Sequence, residues 1–414
     1  MKPWPYVSHV AALPFHPISG GVTAARGFLA GGVWSGIKRG QRKDLALIYS
    51  TVPARVAAVY TRNRVQAAPV LVTRQRVRRG IARAILINSG CANCLTGAPG
   101  LQDARTLAHA GAQRLGISDE EMLVASTGVI GRRLPVARIQ RALPTLVRRL
   151  RRGGHHDAAE AILTTDRVAK SVAFEDTIGG ARVRVGGIAK GSGMINPSMA
   201  TMLCFITTDV AIAPALLRRG LRAANARSFN AITVDGDMST NDMVVVLANG
   251  QAENRPITAA GADYQRWQTM LEAVCVHLAR WIVQDGEGAT KLAEIAVRGA
   301  RNERDAWACA RQIANSSLVK TMLAGADVNL GRIAAAAGAS GAQLDPGRLD
   351  ILLNGHAIFR RGAPTRFDRA TAVRLLKQPE ATFTVDLHAG TAQARVWTCD
   401  LTAEYVRINA SYTT

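Results

Sequence analysis

The sequence predicts an α/β fold, and three observations predict it. Apolar, β-branched runs suited to buried strands alternate with segments of helical spacing along most of the chain. At 414 residues, with 48% hydrophobic residues, 38 glycines and 5% aromatics, the chain is long enough for two or three domains and has the composition of a folded enzyme. No internal repeat and no low-complexity linker interrupts the alternation.

The elements follow in order. Residues 45–49 and 56–60 read as separate strands, and 84–88 reads as a strand running into the turn Ser89-Gly90-Cys91-Ala92-Asn93. Residues 101–115 have helical spacing. Residues 122–126 form a short strand ending at Thr127-Gly128, and 135–152 read as a helix interrupted at Pro144, which cannot donate a backbone hydrogen bond. Strands at 182–185 and 202–210 flank a glycine-containing loop. Helices at 214–226 and 262–284 surround a strand at 243–247. After Lys291 a new set begins with 292–297 and ends with strands near Phe383 and Val396. These elements place a boundary at 290/291, giving a large unit of residues 1–290 and a smaller α/β unit of 291–414.

The most informative point is Ala200-Thr201, at the end of Lys190-Gly-Ser-Gly-Met-Ile-Asn-Pro-Ser-Met-Ala-Thr. Gly191, Gly193 and Pro197 favour irregular backbone, whereas the residues after Thr201 read as a buried strand. Thr201 therefore stands at a loop-to-strand junction, where its hydroxyl can be held against the preceding carbonyl. Opening that bond gives a terminal threonine whose own amine, with a pKa near ~8, activates its hydroxyl as a nucleophile.

Other polar constellations accompany the junction. Ser126-Thr127-Gly128 opens a strand into a small-residue turn, as an oxyanion hole requires. The run from Thr233 to Asp242 is crowded with short acceptors and hydroxyls. It lacks the glutamate-terminated register of a calcium loop, so a hydrogen-bonded structural or active-site loop is expected. In Asp285-Gly-Glu287-Gly-Ala-Thr-Lys291, glycines on both sides of Glu287 let backbone approach a ligand, and the carboxylate suits a substrate ammonium.

Charge and cysteine usage exclude several classes. The net charge is +22, yet the basic residues are scattered and no RNA-binding signature or zinc-finger spacing accompanies them, so no nucleic-acid partner is expected. Of the 52 basic residues only eight are lysines: 2, 38, 43, 170, 190, 291, 320 and 377. In an arginine-rich chain a retained lysine marks a place needing a compact ammonium. Lys190 and Lys291, in glycine-containing turns, are the candidates. Cys91 and Cys94 form the one close pair among six cysteines, and reduced thiols are expected rather than a metal site. No apolar run of membrane-spanning length and no signal-peptide pattern is present, so a cytoplasmic location without membrane partners is expected.

Together these residues resemble the glutamate N-acetyltransferases, or ornithine acetyltransferases, of arginine biosynthesis. The likeness runs through Gly36-Ile-Lys38, Thr61-Arg-Asn63, Ala67-Ala-Pro-Val70, Asn88-Ser-Gly90, Ser126-Thr-Gly128, Thr164-Thr-Asp166, Lys190 to Ile195, Met199-Ala-Thr-Met202, Thr233 to Asp242, Asp285 to Lys291, Ala314-Asn-Ser316 and Val319-Lys320. The resemblance implies an α-β-β-α sandwich of the self-processing aminopeptidase type with a smaller C-terminal α/β domain. It implies cleavage between Ala200 and Thr201 into an α chain (1–200) and a β chain (201–414), which assemble as an α2β2 heterotetramer.

The resemblance further assigns Thr201 as nucleophile, Thr127 and Gly128 as the oxyanion pair, and Lys190, Thr201, Glu287, Asn409 and Thr414 as substrate-binding positions. One threonine of Thr164-Thr165 joins them, and Thr165 is favoured. For Asn409 and Thr414 to serve, the last strand must return to the site. The implied reaction takes acetyl from N-acetylornithine onto Thr201 and passes it to glutamate, with no metal or organic cofactor; acetyl-CoA is left open as a second acetyl donor. The alternative is a self-processing aminopeptidase or amidase of the same fold. Asn329-Leu330-Gly331-Arg332 departs from the family's usual Asn-Trp-Gly-Arg, and Cys91 and Cys94 stand where other small residues are common, but no catalytic group is removed.

Overall fold

The computed structural model describes residues 13–196 and 202–411. Among these, one sheet holds nine strands. They are β1 (His16–Ile18), β2 (Phe28–Val33), β3 (Leu45–Tyr60), β4 (Ile81–Cys91), β5 (Met122–Val129), β6 (Lys170–Ile178), β7 (Ala181–Lys190), β8 (Leu203–Thr208) and β9 (Met243–Ala248). Their order is β1-β6-β7-β8-β9-β3-β4-β5, with β2 paired to β3.

Strand β3 explains how nine strands become two layers. Its first part pairs with β2 and β4, its last part pairs with β9, and the register to β4 shifts between Tyr49 and Ala54. The two separate strands expected at 45–49 and 56–60 are thus one strand carrying an irregularity. Pro53, exposed inside that irregularity, has no ladder hydrogen bond to lose there.

Alternation of side chains then builds the layers, since successive strand residues face opposite ways. Cys204, Ile206, Val244 and Val246 pack against α5 (Pro214–Ala226) and α6 (Ala262–Gln284). Their neighbours Leu203, Phe205, Met243, Val245 and Leu247 face inward, meeting Ala46, Ile48, Ile85, Ile87, Leu123 and Ala125 of the other half-sheet. The opposite faces of that half, with Leu45, Leu47, Leu86 and Val124, are covered by α2 (Gly97–Leu115) and α3 (Val136–Arg148). Helix, sheet, sheet and helix are therefore stacked, which is the α-β-β-α sandwich. Two shorter helices, α1 (Ala68–Val77) and α4 (His155–Ala161), pack against β5 and β2.

Pro144 does not interrupt α3. The carbonyl its missing N–H would have engaged belongs to Gln140, which is exposed and open to water.

A six-stranded sheet follows, in the order β13-β12-β11-β14-β10-β15. Its strands are β10 (Leu292–Ala300), β11 (Asp350–Leu353), β12 (His356–Arg360), β13 (Ala363–Pro364), β14 (Glu380–Asp386) and β15 (Ala392–Cys399). The helices α7 (Glu303–Asn315), α8 (Ser317–Gly325), α9 (Gly331–Gly338) and α10 (Arg369–Leu376) accompany it around a core containing Ile295, Ile313, Leu323, Phe383 and Val396. The chain's last described element is a helix, α11 (Ala403–Ser411), rather than the strand expected to return to the site. Tyr405 and Asn409, four residues apart, share one face of it.

Candidate active site

Ala200, Thr201 and Thr414, the cleavage pair, the nucleophile and one substrate-binding position of the sequence reading, lie outside the described residues. The structure describes both flanks of the junction. Lys190, the last residue of β7, pairs across the ladder with Leu203, the first of β8. The junction is therefore the connection between two antiparallel strands at the middle of the large sheet. On its downstream side the Met202 N–H donates to Asp242 Oδ1 at 2.9 Å, and Asp242 is fully buried. Burial pushes the Asp242 carboxyl well above the usual carboxylate range, against the opposing pull of the Met202 hydrogen bond.

Upstream, the loop is tied down residue by residue. The Gly191 N–H donates to Asp166 Oδ1 at 2.7 Å, and the Ser192 hydroxyl donates to the Asp285 carbonyl at 2.6 Å. Asp235 accepts from the N–H groups of Met194 at 2.5 Å and Ile195 at 2.8 Å, and from the Tyr405 hydroxyl at 3.2 Å. Met194 adopts φ +56°, a conformation that a non-glycine residue holds only where its surroundings fix it.

Lys190 Nζ donates to the Thr164 hydroxyl at 2.7 Å and lies 3.5 Å from Asp166 Oδ2. Thr165, the favoured threonine, follows Thr164 in the chain and is half-buried. Asp166 also accepts from Lys170 Nζ at 2.8 Å, and Lys170 reaches Asp285 at 2.6 Å. Burial alone would raise Asp166, but Lys170 and Lys190 outweigh it and hold the carboxyl far below its ordinary range. Burial would lower Lys170; Asp166 and Asp285 reverse that and raise it. The result is a buried ladder of alternating charge, Lys190-Asp166-Lys170-Asp285, under the junction loop.

Glu287 lies on the other side of the same loop. Its N–H donates to the Ser192 carbonyl at 3.0 Å, and a side chain at Gly193 would collide with its carboxyl carbon at 2.4 Å. Glycine at 193 is what lets the carboxylate lie against the loop. Asn409 Nδ2 donates to Glu287 Oε2 at 2.7 Å, so α11 brings this predicted residue to the site.

Thr127 and Gly128 lie within β5, opposite Ser89 and Gly90 of β4; the strand runs on to Val129, so the turn expected at Thr127-Gly128 comes instead at Ile130-Gly131. Gly128 has φ +126°, and a Cβ there would lie 2.4 Å from the Gly90 carbonyl carbon. The run Thr233–Asp242 joins this end of β5 to the junction: Asn241 Nδ2 donates to the carbonyls of Ala92 at 2.7 Å and Ser126 at 2.8 Å. Asn241 is thus bonded beside Thr127 and next in sequence to Asp242, linking the ends of the two half-sheets.

Sequence reasoning missed Asp166, Lys170 and Asn241 as site-forming residues, although the first and last lie in motifs it singled out. The scarcity of lysine was the usable signal for Lys170. The same signal misdirected attention to Lys291, whose ammonium goes to the Leu323 carbonyl at 2.6 Å, near the end of α8. All six cysteines are free and buried, and among the described residues no three His, Cys, Asp or Glu side chains are grouped to hold a metal.

A model of the ArgJ family matches residues 29–414. The chain belongs to the ArgJ family. The arginine biosynthesis bifunctional protein ArgJ of Symbiobacterium thermophilum is 51% identical over 399 residues, spanning 96% of this chain and 99% of that protein. The ArgJ protein of Gloeobacter violaceus is 50% identical over 406 residues, with 97% and 99% coverage. Among solved structures, the ornithine acetyltransferase of Mycobacterium tuberculosis complexed with ornithine is 40% identical, covering 44% of this chain and 98% of that one with a TM-score of 0.42. No helix among the described residues is long and apolar enough to cross a membrane.

Proposed function

We propose that this ArgJ-family chain, an acyltransferase of arginine biosynthesis, moves acetyl from N-acetylornithine to glutamate through an acetyl-threonine at Thr201. The observation that carries this reading is the pairing of opposite charges around one loop: the Lys190 ammonium at its foot and the Glu287 carboxylate against Gly193. An amino acid with a free ammonium and a free carboxylate complements both.

In maturation the Thr201 hydroxyl attacks the Ala200 carbonyl, the amide nitrogen leaves as the new α-amine, and water opens the resulting ester. In turnover that amine takes the hydroxyl proton as Thr201 attacks the acetyl carbonyl, and Thr127 with the Gly128 N–H stabilises the oxyanion. Ornithine departs, and the glutamate α-amine attacks the ester to regenerate Thr201. Lys190 binds a substrate carboxylate and Glu287 an ammonium, with Asn409 and Thr414 completing the pocket. Thr165 is retained as the favoured substrate-binding threonine; the neighbouring Thr164 hydroxyl accepts from Lys190.

The name bifunctional carried by the relatives supports acetyl-CoA as a second donor. We further propose division at 290/291, an α2β2 assembly and a cytoplasmic location, with no metal or organic cofactor. The same fold in a hydrolase would deliver the acyl group to water, and Glu287 with Asn409 favours an amino-acid acceptor instead.

Intact-mass spectrometry of the purified protein beside Thr201→Ala, followed by an N-acetylornithine/glutamate assay, tests the reading. Cleavage into 1–200 and 201–414, absent in the variant, together with acetylglutamate formation, is the expected result. An uncut wild-type chain removes the maturation step, and acetate release without acetylglutamate makes the protein a hydrolase.

A further inference from the structure

Lys38 belongs to the loop between β2 and β3, outside every residue assigned above. That loop is wrapped around one buried carboxylate. Asp44 accepts from the Ser35 N–H at 2.6 Å, the Ser35 hydroxyl at 2.7 Å, the Ile37 N–H at 2.8 Å and the Lys38 N–H at 2.9 Å. A carboxylate has about four lone-pair sites, so the loop occupies them all and the Lys38 side chain departs from a fixed point.

Two contacts of that side chain lead to the site. Its ammonium donates to the carbonyls of Leu163 at 2.6 Å and Lys43 at 3.0 Å. Leu163 directly precedes Thr164, whose hydroxyl accepts from Lys190. The stem of Lys38 faces Gly90, where an added Cβ would approach Lys38 Cγ to 3.3 Å. Gly90 in turn lies against Gly128. A single side chain therefore stands beside Gly90, which lies behind Gly128, and bonds to the backbone just before the threonine that accepts from Lys190.

We propose that Lys38 is a positioning residue for acetyl transfer, bracing the Leu163-Thr164 segment so that Lys190 is held at the substrate and keeping it in register with Thr127 and Gly128 of β5. The inference rests on the reading of Lys190 as a substrate-binding group. Among the described residues no carboxylate hydrogen-bonds the Lys38 ammonium, which distinguishes it from Lys170. Burial lowers Lys38 to about 8; Asp44 and Asp166 oppose the shift, while Arg42 and Lys190 add to it. Below that pH the brace is a charge-assisted hydrogen bond, and above it the charge is lost and the bond to Leu163 weakens.

The test is steady-state kinetics of the full, matured protein with N-acetylornithine and glutamate, comparing wild type with Lys38→Met. The expected result is a KM for N-acetylornithine about tenfold higher in the variant, with kcat lowered about threefold or less. The wild-type KM rises as pH is raised through about 8, and that rise is absent in the variant. An unchanged KM in Lys38→Met overturns the inference, as does a fall in kcat and Tm with KM untouched, since that is a purely structural role. Should the variant not fold, a wild-type KM that stays flat through about pH 8 overturns it equally. Absence of acetyl transfer by wild type itself removes the underlying reading, whereas an active wild type with an unaffected variant removes only the role of Lys38.

Discussion

Asn409 Nδ2 donates a 2.7 Å hydrogen bond to Glu287 Oε2, fastening the last helix of the chain to a carboxylate that is only 8% exposed. The same helix sends the Tyr405 hydroxyl to Asp235, which holds the backbone of Met194 and Ile195. Residues near position 409 thereby secure both the proposed ammonium-binding carboxylate and the loop before the junction.

Replacing Asn409 by Ala leaves a buried carboxylate without this donor. The expected outcome is a KM for N-acetylornithine about tenfold higher. Asn409→Asp should be worse, because a second carboxylate at 2.7 Å repels the first. Steady-state kinetics of the two variants beside wild type checks the order; equal KM values for all three would sink the role of this contact.

Gly128→Ala is expected to be costly for a reason independent of chemistry. Its φ of +126° is closed to side-chain-bearing residues, and the added Cβ would lie 2.4 Å from the Gly90 carbonyl carbon. Relief requires moving backbone in a paired strand, and a loss of about 3 kcal/mol or more is expected. Calorimetry should show a lower Tm than for Gly131→Ala, a turn glycine whose added Cβ meets nothing within 4 Å.

Lys170 stands between Asp166 and Asp285, and Lys170→Met strands both carboxylates in a buried setting. Destabilisation of about 3–5 kcal/mol is expected, since removing one partner of a buried pair leaves an uncompensated charge. The pH dependence has a defined sign. Asp166 is depressed in the folded state, so its contribution is present above the ordinary carboxylate pKa of about 3.9 and is lost as pH falls through the folded value. Lys170 is raised, so its share is present below the ordinary lysine value and fades as pH rises past it. Thermal melts between neutral and acid pH should therefore show a shallower acid decline for Lys170→Met than for wild type. Parallel declines would contradict the assignment.

Much of the layer plan is written in the chain itself. The alternation Leu203-Cys204-Phe205-Ile206 and Met243-Val244-Val245-Val246 sends every second residue to a different core, and that period of two is a local property. The junction motif, the Gly-Glu-Gly turn and Thr127-Gly128 were legible as short runs of distinctive residues, although the partners that hold their backbones, Asp166, Asp235 and Gly90, lie far away in the chain. What β3 does at Pro53 was less legible, because a strand interrupted by an irregularity and two separate strands read alike until both neighbours are in place.

The chain by itself therefore determined the α/β alternation, the family resemblance and the identities of Thr127, Gly128, Lys190 and Glu287 as candidates. Only the tertiary structure decided which lysines matter. Lys170 bridges Asp166 and Asp285, Lys38 reaches Leu163, and Lys291 goes to the end of α8, although all three are scarce lysines in an arginine-rich chain. Lys38 and Leu163 are 125 positions apart, and Lys170 and Asp285 are 115 apart. An ammonium's partner is set by which carbonyl or carboxylate the folded strands bring within about 3 Å, and no local pattern encodes that distance.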